Sequence, residues 1–323
     1  MSHRIRVHGL RVNLGSGDSL AMLRRMRRTA ALFTALGIVA ALAVVPAAQG
    51  SPSRPKAAHP MLWRVASPKG TLHLFGSVHV GSPDVYPLAP PIREAFRAAQ
   101  TLVLEIPLDA ETQARATQLL LEAAKYEPPD SLSRHLDADT RAKLREALRG
   151  IGLPSRGLEP LRPWFAALTL GLTHAQRLGY HPELGLDQHF QRLLGDKKAA
   201  ALETAEDQVA VFRDLPDALQ VQMLRQTLDE LDELQGMLAD TFAAWQRGDA
   251  TALDALLLAP LRQESPALYA RLFTDRNRRM TERLTAMLAR GGSYFVVVGA
   301  GHLVGPDSLV EMLRKRGLDV TRI

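Results

Sequence analysis

Ser293-Tyr294-Phe295-Val296-Val297-Val298-Gly299-Ala300-Gly301-His302-Leu303-Val304-Gly305-Pro306-Asp307 reads as a buried strand running into a glycine-spaced histidine. An unbroken aromatic and β-branched run, bounded by glycines, has no polar side to offer water. Working outward, the same pattern stands over two hundred residues earlier. Thr71-Leu72-His73-Leu74-Phe75-Gly76 runs into Ser77-Val78-His79-Val80-Gly81-Ser82-Pro83-Asp84. Both copies read strand, Gly-x-x-His, then Gly, Pro and Asp within five residues. Glycine at a strand end lets another group come close. It sets each histidine at the carboxyl edge of a sheet, where α/β proteins hold ligands. Imidazole is the commonest metal ligand and titrates near neutrality. The pair therefore points to one shared metal ion or one shared substrate.

Around these anchors, Leu62–Val65 and Thr71–Gly76 form a predicted hairpin about Pro68-Lys69-Gly70, and Thr101–Ile106 a buried strand. Lys198–Leu202 is a short strand and Leu318–Ile323 an edge strand. Helices are expected over 92–100, 110–125, 137–149, 163–178, 183–194, 275–290 and 308–316. Pro216–Arg247 reads as one long helix, with Asp229, Glu230, Asp232 and Glu233 on its solvent face. The fold class is α/β: a central mixed β-sheet with a large helical insertion, residues 107–290, between the two Gly-x-x-His halves.

The 323-residue chain is basic overall, at +6. That charge sits in residues 1–56, which hold nine basic residues against Asp18 alone. The remainder has 31 basic and 33 acidic residues, so the basicity is no argument for a nucleic-acid partner. Arg24, Arg25, Arg27 and Arg28, the apolar run Ala30–Val45 and Pro46-Ala47-Ala48-Gln49-Gly50 are the parts of a secretory signal peptide. Its alternative is an uncleaved anchor, which would be the only membrane contact. Met22 or Met26 would serve as an alternative start. Residues 1–56 are thus a leader with its linker and 57–323 a single domain, exported to the periplasm or anchored facing it. With no cysteine, disulfides, Cys-ligated zinc, iron–sulfur clusters and a cysteine nucleophile are all excluded. Aromatics at 5% weigh against a base- or sugar-stacking surface. Gly-x-Ser-x-Gly, Walker A and Gly-x-Gly-x-x-Gly loops are missing.

Leu62-Trp63, Leu74-Phe75-Gly76-Ser77-Val78-His79-Val80-Gly81 and Tyr86-Pro87-Leu88 resemble the opening of the TraB/GumN family, which includes the Tiki-type proteins. Leu104-Glu105, Gly185-Leu186-Asp187, Leu202-Glu203-Thr204 with Gln208, and Trp245-Gln246-Arg247-Gly248-Asp249 follow in the family's order. Arg276-Asn277 and Val298–Gly305 complete it. The resemblance covers residues 60–323. It implies an α/β domain related to the erythromycin-esterase and haem-binding ChaN-like group, and Tiki-type relatives are described as metal-dependent proteases. The family's two Gly-x-x-His histidines, glutamate and arginine fall on His79, His302, Glu105 and Arg276.

On this reading His79, His302 and Glu105 hold a divalent ion (Mn, Co or Zn), leaving a position open for water. Glu105 serves as ligand, as general base, or as an arginine's partner; the residues alone leave all three open. Arg276 is expected to stabilise an oxyanion. Asp187, Glu203 and Asn277 form a second tier, the two carboxylates as orienting partners of the histidines. The expected function is an exported metal-dependent hydrolase acting on a peptide or a small ester or amide. The alternative is a non-catalytic metal-, haem- or peptide-binding protein using the same pocket.

Overall fold

The computed structural model describes residues 60–323; the expected leader lies outside them. Six strands form one mixed sheet: β1 (Leu62–Ala66), β2 (Gly70–Ser77), β3 (Thr101–Leu104), β4 (Lys198–Ala201), β5 (Gly292–Gly299) and β6 (Asp319–Arg322). Their order is β4-β3-β5-β2-β1-β6. Strands β4, β3, β5 and β2 are mutually parallel, while β1 runs antiparallel to both β2 and β6. The two histidine-bearing strands are neighbours in full register, from Gly70 opposite Gly292 to Ser77 opposite Gly299. All four parallel strands therefore end on one edge. After β3 the chain moves outward to β4, and after β5 it leaves the other way towards β6. Adjacent strands whose connections part in this way open a crevice at their carboxyl ends.

Thirteen α-helices cover the described sheet. They begin with α1 (Pro90–Ala98), α2 (Ala110–Ala124), α3 (Ala138–Gly150), α4 (Pro163–Arg177) and α5 (Leu186–Arg192). After β4 come α6 (Ala205–Arg213), α7 (Asp217–Glu230) and α8 (Leu234–Arg247). Short helices α9 (Ala250–Leu253), α10 (Ala259–Glu264) and α11 (Pro266–Tyr269) lead into α12 (Asp275–Arg290), and α13 (Leu309–Lys315) precedes β6. The helical stretch between β3 and β5 is divided by β4, so it forms two blocks, 110–192 and 205–290, on either side of a sheet strand. Among the described residues no helix is long and apolar enough to cross a membrane.

Most expected elements stand within two residues of their predicted limits. The long helix does not. A 3-10 turn at Leu231–Glu233 separates α7 from α8, and Glu230 is buried rather than solvated. A 3-10 turn keeps the helical hand while tightening the winding, so three- and four-residue apolar spacing passes across it unbroken. Phe75 of β2 stacks with Phe295 of β5 and meets Phe190 of α5 edge-on. Phe96 of α1 closes that aromatic group. This dry cluster ties both histidine-bearing strands to the helices on one face, and so sets the sheet edge as a rigid platform.

Candidate active site

Each strand that ends on the shared edge delivers one polar side chain there. Glu105 follows β3, Glu203 follows β4, His79 follows β2, and His302 rides a 3-10 turn (Ala300–Leu303) directly after β5. His79 Nε2 and His302 Nε2 both lie 3.8 Å from Glu105 Oε1. All three side chains are buried or nearly so. The backbone N–H of Gly299 donates to the same Oε1 at 2.7 Å. A side chain at 299 would fill this meeting point, because a Cβ there would sit 2.6 Å from His79 Nε2.

The outer nitrogens of both rings are held from behind. His302 Nδ1 lies 2.5 Å from Asn277 Oδ1, whose amide nitrogen donates to the Asp307 carbonyl at 2.8 Å. That fixes the Asn277 oxygen towards the ring, so Nδ1 carries the proton and Nε2 its lone pair. His79 Nδ1 lies 2.9 Å from Asp187 Oδ2. The contact pairs the ring with a carboxylate. Ser77 Oγ donates to Asp187 Oδ1 at 3.1 Å and holds that carboxylate in place. Gly185, which opens α5 two residues before Asp187, packs against the His79 carbonyl so closely that a Cβ would clash with it. The loop bearing His79 and the helix bearing Asp187 are locked by that approach.

Behind Glu105 lies a buried charge group. Arg276 Nη2 donates to Glu105 Oε2 at 2.7 Å and to Glu203 Oε2 at 2.6 Å, and its Nε donates to Glu203 Oε1 at 2.9 Å. Nη1 reaches the Leu272 carbonyl at 3.3 Å. Gln208 Nε2 donates to both carboxylates at 3.3 Å. With the guanidinium engaged on every nitrogen, Arg276 has at most one N–H left for an oxyanion. Arg276, 1% exposed, thus clamps two carboxylates while also lining the cavity.

These contacts set the charge states. Burial alone would raise the Glu105 carboxyl; His302, Arg276, His79 and the Gly299 N–H together bring it down to about 2. Burial alone would lower His79, but the Asp187 carboxylate, with Glu105, raises it to about 9. His302 is pushed down to about 3 by burial and by the Arg276 guanidinium, so it stands neutral.

The structure therefore brings together His79, His302, Glu105, Arg276, Asp187, Glu203 and Asn277. The residues alone gave no reason to single out Ser77 as the support of Asp187, or Gln208 as the bridge between the carboxylates. Ser77 follows a strand-end glycine beside a sought histidine, which was the available signal. Among the described residues no group of three or more His, Cys, Asp or Glu is placed to hold a metal ion. The donor chemistry would nevertheless suit a divalent ion that displaces the His79 proton: His302 Nε2 offers a lone pair, Glu105 an anionic oxygen and deprotonated His79 a second lone pair, and 3.8 Å is within the span of two bonds of about 2.0–2.2 Å. A cavity of about 80 Å³ opens beside the three groups.

The model of the TraB/PrgY/gumN family matches residues 61–322. A protein named YbaP from Escherichia coli is 29% identical over 245 residues, covering 75% of this chain and 87% of its own. A protein of Treponema pallidum is 23% identical over 279 residues, covering 80% and 81%. A zebrafish (Danio rerio) protein named metalloprotease TIKI2 is 28% identical over 312 residues, covering 80% of this chain and 60% of its own. No solved structure matches. With the family's model matched along the whole described domain, the chain belongs to the TraB/PrgY/gumN family.

Proposed function

We propose that the domain is a metal-dependent hydrolase of peptide or related amide and ester bonds. The observation that carries this reading is the convergence of His79 Nε2 and His302 Nε2 on Glu105 Oε1, both at 3.8 Å. These three atoms would hold the ion, with manganese, cobalt or zinc as candidates. When bound, a divalent ion supplies Lewis acidity towards a carbonyl oxygen and a water. The protein's own residues do the rest. Asp187 and Asn277 orient the two rings. Arg276 keeps Glu105 ionised and fixed. A carboxyl held near 2 is a poor general base at neutral pH and a good anionic ligand, which favours the ligand role among the three open for Glu105. The name of the zebrafish relative supports the metalloprotease reading.

The haem-binding alternative is disfavoured by size, since about 80 Å³ falls well short of the roughly 300–1,000 Å³ of sites that enclose larger ligands. We also propose export, with the domain facing the periplasm and residues 1–56 as its leader.

The test is elemental analysis and titration of the purified protein with Mn²⁺, Co²⁺ and Zn²⁺, beside a His79→Ala/His302→Ala variant. One equivalent of metal in the parent, lost in the variant, is expected. Failure of the parent to take up any of the three ions, or full retention by the variant, overturns the assignment. Asp187→Asn is expected to weaken metal binding by about 10–100-fold while leaving both ligands in place, as loss of an orienting carboxylate does. Unchanged affinity in the same titration would show that Asp187 does not position His79.

A further inference from the structure

The cavity beside the histidines has two unlike walls. The sheet edge is polar. The opposite wall comes from α8 and the short helices after it, and is apolar: Phe242, Trp245, Leu253, Leu257, Leu258 and Phe273. All six are buried. Leu257 and Leu258 belong to a π-helical turn at Asp254–Leu258, and Phe273 to a second at Ala270–Thr274. A π turn adds one residue to a helical turn and so re-aims the side chains around it, and such turns recur at functional sites. Holding an ion needs only the polar edge. Nothing in ion binding requires six large apolar side chains facing it.

One polar side chain stands in that wall. Thr241 of α8 is 4% exposed, and its hydroxyl has no hydrogen-bond partner. Thr117, Thr169, Thr227, Thr281 and Thr285, also within helices, donate to the carbonyl four residues earlier at 2.6–2.9 Å. Thr241 forgoes that bond although its helix offers the same carbonyl. A buried hydroxyl left unpaired carries an uncompensated desolvation cost, and such an exception calls for a partner that arrives from outside the protein.

We propose that this wall is a subsite for one apolar side chain of a peptide substrate, and that Thr241 Oγ1 hydrogen-bonds the peptide group beside that side chain. The cavity, about 80 Å³, suits a single side chain better than a whole enclosed ligand. The inference rests on the hydrolase reading for the cleavage step, in which one water adds across the amide. A carbon–oxygen bond forms at the carbonyl as the carbon–nitrogen bond breaks, and the water's protons end on the new carboxyl group and the leaving amine. A leucine or phenylalanine gains by burial against the wall, whereas a lysine or aspartate meets no partner there.

The test compares binding of three probes to the purified protein by ligand-observed NMR: N-acetyl-leucine methylamide and its lysine and aspartate counterparts, with and without Zn²⁺. The leucine probe is expected to bind at least about tenfold tighter than the other two. Leu257→Asp is expected to erase that preference. Thr241→Val keeps the shape and removes the unpaired hydroxyl; it should weaken the leucine probe about five- to tenfold and leave the melting temperature unchanged or raised. A purely structural threonine would not move the probe affinity. Equal binding of the three probes, or full affinity in Thr241→Val, overturns the subsite. Hydrolysis of the matching peptides is followed separately with Mn²⁺, Co²⁺ or Zn²⁺. Selective binding without any cleavage would reject the hydrolase and keep the subsite. Cleavage without side-chain preference would do the reverse.

Discussion

Gly299→Ala is expected to strip the domain of divalent metal while leaving its fold intact. The backbone at 299 sits at φ −51°, ψ 136°, a region open to any L-residue, so the methyl adds no backbone strain. Its obstacle is the site itself: the new Cβ would lie 2.6 Å from His79 Nε2 and 3.4 Å from Glu105 Oε1. The ring must swing away from the carboxylate to make room, which removes the convergence that would hold the ion. Metal affinity should fall by at least the 10–100-fold that loss of an orienting partner costs, and hydrolysis should fall with it. Titration with Zn²⁺ and calorimetric melting of the same sample check the two halves of the expectation. A variant that binds metal like the parent would place the ion elsewhere.

Arg276→Ala should give the largest loss of stability. The guanidinium is 1% exposed and joins two buried carboxylates, Glu105 and Glu203. Removing one partner of a buried ion pair costs about 3–5 kcal/mol, which at about 2–4 °C per kcal/mol lowers the melting temperature by roughly 6–20 °C. The pH dependence supplies the sharper reading. In the parent, Glu105 is depressed to about 2. Its contribution is complete above the unfolded carboxyl value and is lost as pH falls through the folded one. Without the guanidinium, one of the groups that hold Glu105 down is lost and its carboxyl moves up towards the unfolded value. The loss of stability below about pH 5 that Glu105 gives the parent should then be smaller in Arg276→Ala. Denaturant unfolding at several pH values measures both slopes. A cost below about 1 kcal/mol, or an unaltered slope, would mean that Arg276 is not the clamp described here.

The strands were legible because each depends on local pattern. The run Phe295–Val298 has no polar position, and Leu62–Val65 with Thr71–Gly76 brackets a Pro-Lys-Gly turn, so both elements appear where expected. The break between α7 and α8 was not legible, since a single tight turn leaves apolar spacing intact and Glu230 reads like its solvated neighbours. The stretch 250–274 offered no reading. Its short helices and two π turns take their shape from packing over the cavity, and so the apolar wall was invisible. Thr241 was equally so, because whether a helical hydroxyl bonds back to its own turn is decided by what faces it.

Residue type and strand-end spacing by themselves determined that two histidines stand at one edge of an α/β sheet, and that cysteine chemistry is excluded. These follow from the period of a strand and from the absence of a residue, which need no tertiary contact. Only the folded chain decided that β2 and β5 lie side by side, which is what brings His79 and His302 to the same carboxylate oxygen. It also decided that Arg276 joins Glu105 to Glu203. Strand order, helix rotation and the partner of a buried charge arise from contacts between residues far apart in the chain, and a local pattern does not contain them.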